Sequence, residues 1–225
     1  REFQKYELKL FETYKDRKLA YHLSRLAVQL GPKYYTVLLK LPKDFVIDLI
    51  KIFLIEPSCW RMRGENSVGI VFVESNQDGG PKFSDAERND VCDEILDGLA
   101  WLAEEQPYGN LTWVFDFQFI KINVANGNND SNESYWRDPA MGQVSYNGHT
   151  YTAGWAGVAE YREDMRLTNI SRHGFVIFVT PYGNSWHAYA GGGRVTLAKR
   201  NNWGGWGINT IDTITAHEVG HLYGS

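Results

Sequence analysis

The sequence predicts an α/β (α+β) fold, in which helices cover a mixed sheet. Two observations support this prediction. Short apolar runs typical of buried strands alternate along the chain with longer segments whose apolar residues recur every three or four positions. The 225 residues are 43% hydrophobic, 22% charged and 14% aromatic, a composition that excludes an intrinsically disordered protein.

The distribution of charge divides the chain into two parts. Residues 1–64 carry a net charge of +6 and residues 65–225 one of −10, which gives −4 for the whole chain. We therefore predict a helical N-terminal accessory or pro-like region over residues 1–64 and a second domain over residues 65–225. The alternative is two solvated faces of opposite charge. The acidic total argues against a general nucleic-acid-binding protein.

The N-terminal region is predicted to contain two helices and a strand. Residues 2–30 have apolar side chains at helical spacing, and Gly31 and Pro32 are expected to end that helix. Residues 34–41 are predicted as a strand and residues 44–56 as a second helix. Since no apolar run approaches the roughly 20 residues that cross a bilayer, we expect no membrane span.

The second region is predicted to begin with a strand around residues 68–73 and a helix over residues 84–106. The first four residues of that helical segment, Ser-Asp-Ala-Glu, match a capping box, in which the serine oxygen accepts a hydrogen bond from an amide three residues later. Residues 111–122 then alternate between apolar and polar side chains, which predicts a strand.

Residues 123–139 are predicted as a polar loop. Its asparagine-rich stretch, residues 126–130, offers oxygen ligands for calcium, although a solvated loop is the stronger interpretation. The remaining predicted elements are a helix over 156–169, strands over 175–180 and 189–198, and a last helix that begins near Asp212.

The residues with recognisable chemistry lie in the last predicted helix. His217 and His221 are four positions apart, so both imidazoles project from one face of a helix, one turn apart. This spacing allows both rings to bind one Zn²⁺ ion. Glu218 can reach a metal-bound water without ligating the metal and can accept its proton. The three residues predict zinc-dependent hydrolysis of peptide bonds; the alternative is a helix that holds two histidines by chance.

Residues 217–224, His-Glu-Val-Gly-His-Leu-Tyr-Gly, resemble the active-site motif of the zincin metallopeptidases. The glycine at position 224 makes the motif similar to that of the metzincin branch in particular. The predicted order of elements from about residue 67 is also similar to a metzincin catalytic domain, where a strand, a long helix and further strands precede the active-site helix. The resemblance implies a zincin-like twisted mixed sheet with a long backing helix. It also implies a zinc endopeptidase that acts on peptide or protein substrates.

The resemblance also implies a strand at the edge of the sheet that pairs antiparallel with extended substrate. Tyr189, Ala190, Gly191 and Gly192 are its candidates, because glycines let another backbone approach closely. A glycine-rich turn is an equally good interpretation of this stretch.

A third zinc ligand is implied three residues after the glycine, at position 227, and the chain ends at Ser225. We therefore expect the catalytic domain to be truncated at its C-terminus. A third ligand from within the chain is the first alternative, and a domain that no longer binds metal well is the second. The internal candidates are His187, which lies near the predicted edge strand, and then His173, His149 and Asp212.

Two further expectations concern location and function. The resemblance implies a secreted protein, and Cys59 and Cys92 are compatible either with one disulfide or with two thiols. The alternative function is a non-catalytic module that binds protein or glycan and retains a zincin fold.

Overall fold

The computed structural model describes residues 2–15, 20, 23–24, 32–47, 62–125 and 133–224. The chain divides into two compact units, residues 1–58 and 59–225. Among the helices in the described ranges, none is long and apolar enough to cross a membrane.

The smaller unit is helical where the structure describes it. Helix α1, Glu2–Tyr14, corresponds to the first half of the helix predicted over residues 2–30, but the unbroken helix is wrong, because Lys15 has φ of +54° and ends it. Most of the predicted second half lies outside the described residues. Helix α2 spans Pro32–Leu38, so the predicted strand over residues 34–41 is wrong. Proline fixes φ near its helical value and lacks an amide hydrogen that the first turn does not use, so Pro32 starts a helix here.

Two contacts connect these helices. The Tyr14 hydroxyl donates to the Leu38 carbonyl and, at 3.1 Å, to the Leu41 carbonyl. Residues 43–47 are also helical, as predicted for the start of the helix over residues 44–56, whose remainder lies outside the described residues.

The larger unit is a mixed α/β domain. Its elements in chain order are β1 (Glu65–Ser75), α3 (Asp85–Glu105), β2 (Thr112–Ile122), α4 (Ser134–Met141), β3 (Ser145–Tyr146), β4 (His149–Thr150), α5 (Trp155–Thr168), β5 (His173–Thr180), β6 (Ala188–Gly191), β7 (Arg194–Ala198) and α6 (Ile211–Leu222).

Five strands form the central sheet, in the spatial order β2-β1-β5-β7-β6. The neighbours from β2 to β7 pair in parallel, and β6 pairs antiparallel with β7. Almost all of β1 is buried, as expected for a parallel strand with helices on both faces of the sheet. The α/β class predicted from the sequence is confirmed.

Helices α3 and α6 cover one face of the sheet, and α4 and α5 cover the other. Ser84 caps α3 as predicted, since its Oγ accepts a hydrogen bond of 3.1 Å from the Glu87 amide. The backbones of α3 and α6 come very close: a Cβ at Gly98 would lie 2.3 Å from the carbonyl oxygen of Asp212. Only glycine permits this approach.

The single strand predicted over residues 189–198 is wrong, because these residues form a hairpin. Gly192 and Gly193 have φ of +60° and +79° and reverse the chain between β6 and β7. A two-residue turn with positive φ at both positions matches the right-handed twist of the strands it joins, and glycine adopts it readily.

The polar loop predicted over residues 123–139 is also partly wrong. Helix α4 begins within it, because Trp136 is fully buried and Arg137 pairs with Glu133 at 2.6 Å, one helical turn away. The candidate calcium ligands at residues 126–130 lie outside the described residues. The short β3–β4 hairpin was not predicted.

Candidate functional site

Helix α6 carries the predicted metal ligands on its exposed side. Ile211, Ile214 and Val219 are buried in the apolar cluster beneath the helix, and this burial fixes its orientation on the sheet. With that face covered, the side chains of His217 and His221 are exposed to solvent.

The two imidazoles converge on one point. Their Nε2 atoms are 3.0 Å apart, and the ring centres are 4.4 Å apart with the planes at 82°. Two nitrogens that bind one zinc ion at about 2.0–2.1 Å in tetrahedral geometry lie about 3.3 Å apart. The His217–His221 pair therefore fits two neighbouring positions around a single zinc ion after a small adjustment.

Glu218 differs from its histidine neighbours because its side chain is only 8% exposed. Burial raises the pKa of this carboxyl, while the charges of the nearby histidines, His187 among them, act in the opposite direction. Across the described ranges, no side chain hydrogen-bonds to the Glu218 carboxylate. A buried carboxylate with a raised pKa beside two imidazoles has the properties of a proton acceptor.

A third metal ligand is not found in the part of the chain that the structure describes, where no group of three or more His, Cys, Asp or Glu side chains is arranged to hold a metal. His173 lies in β5, and His149 lies in β4 with its Nδ1 2.7 Å from Asp164. Asp212, in the first turn of α6, accepts a hydrogen bond from the next amide. His187 lies within electrostatic reach of the general-base candidate but does not join the histidine pair.

Strand β6 contains three of the four predicted substrate-binding residues. Tyr189, Ala190 and Gly191 lie in this strand, at the edge of the sheet, and Gly192 lies in the turn that follows. Ala190 packs against the apolar cluster between the sheet and α6, and α6 contacts β6 directly. The glycine-rich stretch thus provides both an edge strand beside α6 and the turn that ends it.

The opposite face of β6 is held by a buried polar network centred on Glu133. This carboxylate is 5% exposed and accepts hydrogen bonds from four side chains: Tyr189, Arg137 at 2.6 Å, Arg194 at 3.0 Å and Thr196 at 3.2 Å. Burial alone would raise the pKa of Glu133, but the Tyr189 hydrogen bond and the two guanidinium groups lower it overall. The network fastens the start of α4 to β6 and β7.

Sequence reasoning missed the turn that precedes α6. Asn201, Asn202 and Trp203 have φ of 47°, 51° and 58°, a run of left-handed residues that two glycines continue. Asparagine tolerates this conformation better than most residues, so two asparagines before Trp-Gly-Gly are a local signal for such a turn.

A cavity of about 990 Å³ lies between α3 and α6. Trp101 and Leu102 of α3 and Ala216 of α6 contribute apolar lining, and His217 lines the same cavity. A space of this volume accommodates a small ligand or several side chains.

Comparison with models of protein families, with curated proteins and with solved structures finds no match for this chain. The resemblance of residues 217–224 to the zincins therefore stays a prediction, and functional inference depends on the residues and geometry of the site.

Proposed function

We propose that this protein is a zinc-dependent endopeptidase. The observation that carries the proposal is the convergence of two imidazole Nε2 atoms, 3.0 Å apart, beside a buried carboxylate. In this proposal His217 and His221 are two of the zinc ligands and Glu218 is the general base. A catalytic zinc takes three protein ligands, so the proposal includes a third from outside the residues that the structure describes.

The proposal extends to a zincin-like fold for the larger unit. The order of its elements supports this, with α3 in the place of the backing helix and α6 in that of the active-site helix. The antiparallel edge strand β6, which contacts α6, supports it as well. Secretion remains an expectation from the same resemblance.

Each residue has a definite task in the proposed reaction. Bound zinc supplies a Lewis acid that activates water and polarises a carbonyl. The histidine pair holds the metal through Nε2, and β6 hydrogen-bonds an extended peptide along its outer edge. Glu218 accepts a proton from the attacking water and passes it to the leaving amine, so that no net proton is gained or lost.

Zinc binding and hydrolysis of quenched fluorescent peptides test the proposal together. We expect the full-length protein to bind one zinc ion per chain, and His217→Ala to lose it, since one imidazole is then missing. Glu218→Gln should keep the zinc and lower kcat/KM at least about 100-fold, because the general base is removed. His149→Ala, an exposed histidine in β4, is the matched control and should change neither property.

Two results would overturn the proposal. One is zinc binding that is absent, or that His217→Ala leaves intact. The other is a zinc-loaded protein that cleaves no peptide, or that cleaves equally well with Glu218→Gln; peptide or glycan binding without cleavage would then favour the non-catalytic module.

A further inference from the structure

Two large aromatic side chains are exposed beside the start of β6. Trp186 is 67% exposed and Trp206 is 66% exposed, and the Trp206 ring centre lies 6.1 Å from that of His187. Each of these tryptophans leaves a large apolar area in water. We refer to Trp186, His187 and Trp206 as the aromatic rim.

The rim is held by contacts that join its two chain segments. The Arg200 guanidinium donates to the carbonyls of Asn184, at 2.8 Å, and Ser185. His187 lies directly over Gly204, where a Cβ would come within 3.0 Å of three atoms of the imidazole ring. These contacts place the residues before β6 against the turn before α6.

The turn that presents Trp206 is conformationally costly. Three successive residues, Asn201, Asn202 and Trp203, are left-handed, a conformation that is least favourable for the tryptophan. Trp203 anchors the turn, since it is 2% exposed and stacks on Phe83 with ring centres 6.1 Å apart and planes at 7°. Backbone strain of this kind persists mainly at functional sites and ligand clamps.

The rim adjoins the proposed reaction site. His187 immediately precedes β6, the strand proposed to pair with substrate, and it lies within electrostatic reach of Glu218. A peptide that extends along β6 therefore passes the rim before it reaches the end of the strand.

We propose that Trp206, with Trp186 and His187, binds a bulky apolar side chain of the peptide substrate and so determines specificity. This inference rests on the proposed function, which it deepens. A rigid aromatic surface next to an edge strand offers apolar contact to a side chain while the strand binds the peptide backbone. A glycan would use the rings but not the strand, which is why a peptide is the favoured occupant.

Binding is measured in the Glu218→Gln background, so that hydrolysis does not interfere. The probes are extended peptides that carry a single Phe or Leu, stepped along an otherwise alanine-rich sequence, with tryptophan fluorescence or calorimetry as the readout. We expect the best Phe peptide to bind about tenfold more tightly than its Ala counterpart, and Trp206→Ala to abolish this difference. Trp206→Phe should restore most of it, because it keeps an aromatic ring.

Phe119→Ala is the matched control. Phe119 is 58% exposed and lies on β2, at the other edge of the sheet, so its removal should leave the Phe-over-Ala preference intact. A circular dichroism melt of each variant separates a lost contact from a lost fold.

The outcomes separate this inference from the proposed function. Selective binding that depends on Trp206, without hydrolysis by the zinc-loaded wild type, supports the proposed role of the aromatic rim and overturns the proposed peptidase function. If the protein hydrolyses peptides with a side-chain preference that Trp206→Ala does not change, the proposed role of the aromatic rim is overturned and the proposed peptidase function stands. Equal binding of Phe and Ala peptides, or a neutral oligosaccharide as the only probe that Trp206→Ala affects, also overturns the rim.

Discussion

Two buried glutamates on opposite sides of the sheet have opposite surroundings. Glu133 is 5% exposed and accepts four side-chain hydrogen bonds, two of them from arginines, so its pKa is lowered. Glu218 is 8% exposed, and within the described residues no side chain hydrogen-bonds to it, so burial raises its pKa.

The difference separates a structural carboxylate from one available for chemistry. A buried charge whose partners satisfy it contributes to holding elements together, and it exchanges protons with difficulty. A buried carboxylate without such partners is destabilising by itself, and proteins retain such groups mainly where they have a function. By this criterion Glu218 has the properties expected of the general base that we propose, and Glu133 belongs to the framework that supports β6.

The largest expected effect is on the free energy of unfolding of Glu133→Gln. Removing this charge leaves Arg194 buried without its carboxylate partner and Arg137 with Asp138 alone, which should destabilise the protein by about 3–5 kcal/mol. Glu218→Gln should instead leave the stability of the zinc-free protein unchanged or raise it. Urea unfolding at pH 7 measures both, with Glu163→Gln, a half-exposed partner of Arg166, as the control. Equal losses of unfolding free energy in Glu133→Gln and Glu218→Gln would contradict the distinction between the two carboxylates.

The second expected effect is a dependence of that loss on pH. Because the pKa of Glu133 is lowered in the folded protein, folding favours its ionised form. The stabilisation is therefore complete at neutral pH and is lost as the pH falls through the folded pKa. The difference in unfolding free energy between wild type and Glu133→Gln should shrink below about pH 4. A difference that stays constant from pH 7 to pH 3 would show that the charge is not responsible.

A smaller effect is expected for Tyr189→Phe, which removes one donor to Glu133. A hydrogen bond to a charged group contributes about 1.5–3 kcal/mol, so this variant should lose about that much stability and keep its β6–β7 pairing. Tyr135→Phe is the control, since its hydroxyl donates to the neutral carbonyl of Gly183 and should contribute about 1 kcal/mol. Equal losses in the two variants would mean that the Glu133 charge adds nothing.

Local patterns predicted the parts of the fold that depend on neighbours in sequence. Ser84 caps α3 because its amide partner is three residues away, and the histidine pair meets because one helical turn separates its members. Where two local interpretations compete, the prediction was weaker. Pro32 is compatible with the end of one helix or the start of another, and only the tertiary fold distinguishes them.

The rest of the site depends on contacts across long stretches of chain. Three partners of Glu133, namely Tyr189, Arg194 and Thr196, are 56, 61 and 63 residues away, and no periodicity of the surrounding loop indicates them. The proximity of His187 to Glu218 likewise follows from the sheet order, in which β6 turns back beside α6. No pattern in the neighbouring residues predicts either the Glu133 network or the proximity of His187 to Glu218.

The hairpin between β6 and β7 also constrains how this protein can vary in evolution. Side chains alternate between the faces of a strand, so Ala190 packs towards α6 while Tyr189 reaches Glu133. Insertion or deletion of one residue at Gly192–Gly193 would exchange the two faces along β6. Tyr189 would then point towards α6, and Ala190 would face the buried charges around Glu133. Homologous chains should therefore conserve the length of this turn.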